Sequence, residues 1–179
     1  MDAREAVQIA DLHVSDPELD ALFTELLRVP SVHTELMEAD PALKAFVAEV
    51  VAARIEDLTG VAPVADGMGN LLWQFGGVGA ALAQGLLFMG YAMTFPAGSM
   101  PEPFSGRIVP GEPYGLQGQC AWGRGGCEQK AALAAMLEAT AVVRRSGREL
   151  ARPLLLAVST AGETGRHDAA RYMLEEGGL

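Results

Sequence analysis

The stretch Gln119-Cys-Ala-Trp-Gly-Arg-Gly-Gly-Cys-Glu-Gln-Lys130, which runs on into the alanine-rich segment Ala131 to Leu137, decides how the chain is read. Gly123, Gly125 and Gly126 permit a tight turn that residues carrying a Cβ resist, and the turn opens directly into helix-forming sequence. The start of a helix offers free N–H groups and favours negative charge, and Arg124, Glu128 and Lys130 fall within its reach. Arg124, Gly125, Gly126 and Lys130 are therefore candidate binding residues for an anionic ligand. A plain connector between a strand and a helix is the alternative reading of the same glycines.

Working outward, the helix expected from about Gly126 carries Leu133, Met136, Leu137 and Ala141 on one face and ends at Gly147. Pro153 introduces Leu154 to Val158, a short apolar run read as a buried strand, and Thr160 to Gly165 forms the loop at its carboxyl end. Ala169 to Glu176 is a last helix. On the other side of the glycine loop, Leu86 to Met89 reads as a strand buried on both faces. The intervening segment, Phe95 to Gly118, is rich in proline, lacks periodicity and is expected to be a long surface loop. The strand, loop, helix, strand, loop, helix order predicts an α/β fold with a mostly parallel sheet flanked by helices. Loops starting at Gly90, Gly123 and Ala161 then converge on one sheet edge, where open α/β sheets bind ligands.

Two helices precede this unit. Leu19, Leu22, Phe23, Leu26 and Leu27 form an apolar stripe on a helix from about Pro17 to Arg28, with Ser15 or Asp16 as cap. Asp40-Pro41 opens a second, with Leu43, Phe46, Val47, Val50, Val51, Ile55 and Leu58 on one face before Gly60 closes it. His33, in the polar loop between them, is expected to be solvated. Ala62 to Ala65 and Asn70 to Phe75, joined by Asp66-Gly67-Met68-Gly69, read as a hairpin.

With 179 residues, half of them hydrophobic, the chain can bury one good core, expected over residues 16–179 after a polar segment at 1–15. A net charge of −10 without a basic patch argues against nucleic acid and anionic membranes as partners. No run reaches membrane-spanning or signal-peptide length, so a cytoplasmic location is expected. Cys120 and Cys127 are expected to be free thiols.

Five blocks in order resemble one zinc family: Leu27-Arg-Val-Pro-Ser-Val32, Gly69-Asn-Leu71, Gly90-Tyr-Ala-Met-Thr-Phe-Pro96, Trp122-Gly-Arg-Gly-Gly-Cys-Glu-Gln-Lys130 and Ala161-Gly-Glu-Thr-Gly165. They are similar to the aminoacylase, acetylornithine deacetylase, succinyl-diaminopimelate desuccinylase and carboxypeptidase G family of metallopeptidases. The resemblance, running from about Leu19 to the end, implies the N-terminal part of that family's three-layer catalytic domain, without its inserted lid or dimerisation domain. It also implies a two-zinc centre that polarises an amide carbonyl, with a glutamate as general base.

The departures from that pattern are specific. Where the resemblance implies a zinc-binding histidine and its orienting aspartate, this chain has Tyr91 and Met93, and a phenol is a poor zinc ligand. Glu128 replaces the bridging aspartate. The adjacent glutamates, base and ligand, align with Gly162 and Glu163. His167 aligns with no ligand.

The leading expectation is therefore a degenerate, non-hydrolytic or altered relative that binds an amino-acid-like or anionic ligand, or that forms part of a split enzyme. A partner polypeptide or a second copy would then cover an exposed sheet edge. The alternative is an active amidohydrolase of N-acyl amino acids or small peptides. In that case Glu128 and Glu163 would hold a metal and Tyr91 would stabilise the oxyanion, zinc being the implied cofactor.

Overall fold

The computed structural model describes residues 2–77, 79–162 and 167–177. The segment expected to be merely polar opens with helix α1, Ala3–His13, capped by Asp2, whose side chain accepts from the Glu5 amide. Helix α2 covers Asp16–Arg28, with Ser15 as cap residue and Pro17 in its first turn, and buries Leu22, Leu26 and Leu27. The second predicted helix is a continuous run of α3, Pro41–Ala45, a π-helical stretch, Phe46–Val51, and α4, Ala52–Thr59. Asp40 caps its start by accepting from the Ala42 amide, and Gly60, at φ 71°, ends it in the left-handed conformation.

Among the described residues the main sheet has four strands in the order β1-β2-β6-β3: β1 is Val64–Ala65, β2 Leu71–Phe75, β6 Leu154–Ser159 and β3 Leu86–Tyr91. The predicted hairpin is β1–β2, closed by Asp66, whose carboxylate accepts from the amides of Met68 and Asn70. The expected parallel pair is β3 and β6, in register from Leu86↔Leu154 to Tyr91↔Ser159. The α/β class holds, but β2 lies antiparallel to β6, so the expected mostly parallel sheet is a mixed one. The hairpin puts β2 on the far side of β6, where its direction is set by the β1–β2 turn rather than by a helical crossover.

Helix α5, Gln129–Arg145, connects the two sheet-end loops and buries Leu133, Ala134, Leu137 and Ala141. These side chains join Leu22, Leu26, Phe46, Val51 and Ile55 from the preceding helices and Leu71, Trp73, Leu154, Leu156 and Val158 from the sheet in one core. The alternation of β6 sends Leu154, Leu156 and Val158 to that face, as the two-residue strand period requires. Helix α6, Asp168–Glu175, buries Ala169 and Met173.

Two expectations fail here. Leu86 to Met89 is not buried on both faces: among the described residues β3 has a strand on one side only, and Leu86 is 59%, Leu87 40% and Met89 47% exposed. An apolar run reports β-propensity and apolarity, and it does not report whether a neighbouring strand follows. The predicted surface loop at 95–118 contains β4, Arg107–Pro110, which pairs antiparallel with β5, Gln119–Trp122. Pro110 sits at the end of its strand, where the missing N–H costs little. Helix α5 consequently begins at Gln129, after turns over 123–128, and not at Gly126.

Candidate functional site

The parallel pairing of β3 and β6 brings their carboxyl ends together, so the chain leaves Tyr91 and Ser159 side by side. Between these ends and the first turns of α5 and α6 lies a cavity of about 330 Å³. Tyr91, Gln129, Ser159, Gly162 and His167 line it. Tyr91 and Gly162 were expected there from sequence; Gln129, Ser159 and His167 were not. His167 precedes α6 in a left-handed conformation, φ 56° and ψ 28°, a placement without a local signal in a non-glycine residue. The Ser159 hydroxyl donates to the Ala161 carbonyl at 3.1 Å, which anchors the turn leaving β6.

Tyr91 and Gly162 occupy each other's space. A Cβ added to Gly162 would lie 2.3 Å from Cδ1 of the Tyr91 ring and 2.4 Å from its Cγ. No side chain at 162 coexists with the ring in this position. The third departure, Met93, is 1% exposed and packs in a small cluster with Leu43, Ala161 and Tyr91. The block at Gly90 thus contributes an aromatic and a thioether to packing, where the resemblance implies a metal ligand and its partner. Glu163 lies outside the described residues.

The glycine loop differs from its expectation. The Arg124 amide donates to the Pro103 carbonyl at 2.6 Å, Gly126 to Gly123, and Glu128 and Lys130 both to Gly125. These amides are taken up by backbone carbonyls, those of Gly126, Glu128 and Lys130 within the loop and that of Arg124 by Pro103, and are not presented to a ligand. Gly125, at φ 91°, is needed: a Cβ there would come within 2.7 Å of the Thr94 Cγ2 and 3.0 Å of the Lys130 Cδ. Contact of Gly125 with Thr94 does bring the glycine loop beside the chain leaving β3, as the convergence of loops required.

The cations of this loop are also engaged. The Arg124 guanidinium pairs with Glu128 at 2.8 Å and donates to the Phe95 carbonyl at 2.9 Å. Lys130 is 1% exposed; its ammonium donates to the Val29 carbonyl at 2.5 Å and lies 5.1 Å from the Phe46 ring centroid. Burial pushes its pKa down to about 8, against the opposing charge of Glu128. Lys130 is therefore not a counter-charge for a ligand. It stands in the first turn of α5 on the face that meets α2 and the 46–51 helix, and the core takes it in.

His33 is not solvated. Its ring meets Phe95 edge-on, centroids 5.1 Å apart, and its buried nitrogens lack a partner among the described residues. The backbone explains the position: Val32 bridges Thr94 in parallel, with the His33 amide donating to the Thr94 carbonyl at 3.0 Å. Cys120 and Cys127 are free thiols.

Of the positions that the resemblance implies for a two-zinc centre, Tyr91, Met93, Glu128 and Gly162 are described, and among these Glu128 alone carries a carboxylate or imidazole. Among the described residues no three His, Cys, Asp or Glu side chains stand close enough to hold an ion. The Glu128 carboxylate is neutralised by Arg124, and Tyr91 and Met93 are committed to packing. Among the described residues, no helix is long and apolar enough to cross a membrane.

Comparison with known proteins agrees with this fold. Residues 96–179 match the model of Peptidase family M20/M25/M40. No curated protein matches the chain. Among solved structures, the M20 family metallo-carboxypeptidase Sso-CP2 of Sulfolobus solfataricus is similar over 89% of this chain and 34% of its own, at 20% identity and a TM-score of 0.67. Human carnosine dipeptidase 1 is similar over 95% of this chain and 37% of its own, at 18% identity and a TM-score of 0.69. A di-peptidase of Saccharomyces cerevisiae is similar over 93% and 36%, at 18% identity and a TM-score of 0.59. Part of the chain is thus similar to the Peptidase family M20/M25/M40 model, and the chain shares the fold of these structures, spanning about a third of their length.

Proposed function

We propose that the chain is a degenerate relative of the M20 peptidases that binds a small amino-acid-like ligand in the 330 Å³ cavity and does not hydrolyse amides by a two-zinc route. The observation that carries this reading is the interlock of Tyr91 with Gly162, the two positions where the resemblance implies a zinc ligand and the general base. The ring fills the volume that a glutamate at 162 would need, so the two departures support one another. Glycine moves no proton, and positioned proton transfer alone contributes about 10²- to 10⁴-fold to such reactions.

The remaining lining suits recognition. A phenol, an amide, a hydroxyl and an imidazole surround a space of the size that takes one amino acid or a short acylated derivative. The deciding experiment is elemental analysis of protein purified without chelator, together with hydrolysis assays on dipeptides and N-acyl amino acids. Zinc near zero per chain and no turnover are expected, with calorimetric binding of amino-acid derivatives retained. Stoichiometric zinc with turnover would replace this reading by the second one, an active amidohydrolase in which Glu128 and Glu163 hold the metal and Tyr91 faces the oxyanion.

A further inference from the structure

The sequence block Gly69-Asn70-Leu71 supplies no implied metal position, and none of it is among the residues that line the cavity. We propose that Asn70 is a positioning residue for the cavity: by holding the Thr160 amide it fixes Ala161 and Gly162 against the Tyr91 ring, and so sets the shape in which an amino-acid-like ligand is received. This rests on the cavity being the ligand site, as proposed above. Asn70 and Thr160 are each 0% exposed, so the link is enclosed by the described residues themselves and needs no surface to be free.

The ladders of β6 explain why a side chain is needed. Pairing with β2 ends at Leu71↔Val158 and with β3 at Tyr91↔Ser159, so Thr160 is the first residue beyond both ladders. Its amide donates instead to the Asn70 side-chain oxygen at 3.2 Å, which adds one rung past the β2–β6 ladder. A primary amide could turn either its oxygen or its nitrogen toward Thr160. Asp66 decides this: a carboxylate only accepts, so it takes the Asn70 nitrogen at 2.7 Å and leaves the oxygen facing Thr160. Asp66 is fixed in turn by the amides of Met68 and Asn70, at 2.8 and 2.9 Å. On the far side of the chain leaving β6, the Ser159 hydroxyl donates to the Ala161 carbonyl. Ala161, 3% exposed, then packs with Leu43, Met93 and Tyr91, and Gly162 meets the ring where no Cβ would fit. Tyr91, Ala161 and Gly162 all line the cavity, so displacing Thr160 deforms its wall. The same turn reaches helix α6, which carries Ala170 of the lining: a Cβ on Gly67 would lie 2.5 Å from the Tyr172 hydroxyl.

The test compares Asn70→Ala with Ile55→Val, a core truncation in α4. Nuclear magnetic resonance of the ligand-free protein reads the turn, because the Tyr91 ring displaces the Gly162 protons from their usual positions. That displacement should be lost in Asn70→Ala and kept in Ile55→Val, since a general loss of stability does not move it. Calorimetric affinity for N-acetylalanine should fall about tenfold or more in Asn70→Ala and stay within about twofold in Ile55→Val. Should the alanine variant not fold, Asn70→Ser, whose hydroxyl stops one bond short of the amide oxygen, carries the same expectations. An unchanged Gly162 signal in the variant overturns the proposal, and so does an undiminished affinity once that signal is lost. Absence of binding by the wild type is a different failure: it removes the cavity as ligand site and the ligand role of Asn70 with it, while the Gly162 signal still decides whether Asn70 holds the turn.

Discussion

Tyr91 and Gly162 act as one unit, and this has a consequence for stability. Gly162 has no left-handed backbone to protect, so adding a methyl there costs through the Tyr91 ring and not through φ. Gly162→Ala should destabilise by about 1–3 kcal/mol, the usual cost of overpacking. In a Tyr91→Ala background the same change should cost much less, giving a coupling energy above about 1 kcal/mol in a denaturation double-mutant cycle. Additive effects would show that the ring and the glycine do not share space in solution. Lys130 makes a second prediction at this scale. Its pKa is lowered by burial to about 8 from an unfolded value of 10.5, so between these pH values the unfolded chain binds more protons than the folded one. Stability from this group therefore rises as pH increases from 8 to 10.5, by on the order of 3 kcal/mol. Urea unfolding of the wild type against Lys130→Met across this range should show that gain in the wild type only. The position of this lysine in the glycine-loop motif was readable, but its burial was not: a basic residue in a first helical turn reads as solvent-facing until the packing of α2 and the 46–51 helix is known.

At the scale of elements, one side chain adds to the β2–β6 ladder a link between the β1–β2 turn and the chain leaving β6. Asn70 is fully buried; its side-chain oxygen accepts from the Thr160 amide at 3.2 Å and its side-chain nitrogen donates to Asp66 at 2.7 Å. Asn70→Ala leaves the buried Thr160 amide without its partner and takes one donor from the half-buried Asp66 carboxylate, and should cost about 1–3 kcal/mol, with Asn70→Asp costing at least as much because it sets a second carboxylate against Asp66. A loss below about 0.5 kcal/mol in urea denaturation would mean that water replaces the amide. Helices α2 and α5 and the run over 41–59 were legible because their apolar residues recur every three to four positions. β4 and β5 escaped because the segment around them is punctuated by proline and glycine. What holds β4 in place is its ladder to β5, from Arg107↔Trp122 to Pro110↔Gln119, a non-local pairing that no window of sequence contains.

For the whole molecule, the sequence's periodicity by itself determined the α/β class, most of the succession of helices and strands and the parallel relation of β3 and β6, and its short motifs carried the family resemblance. Each of these is written locally, in glycine placement, in a 3.6- or 2-residue apolar period, or in a short motif. The tertiary structure alone decided that β2 joins β6 antiparallel, on the side away from β3. It placed Lys130 and the ring nitrogens of His33 inside, took up amides of the glycine loop in backbone hydrogen bonds, and set the Tyr91 ring in the space above Gly162. The reason is physical: burial, hydrogen-bond partners and steric exclusion are relations between residues far apart in the chain, such as 91 with 162 and 130 with 29, and they exist only once packing has brought those residues together.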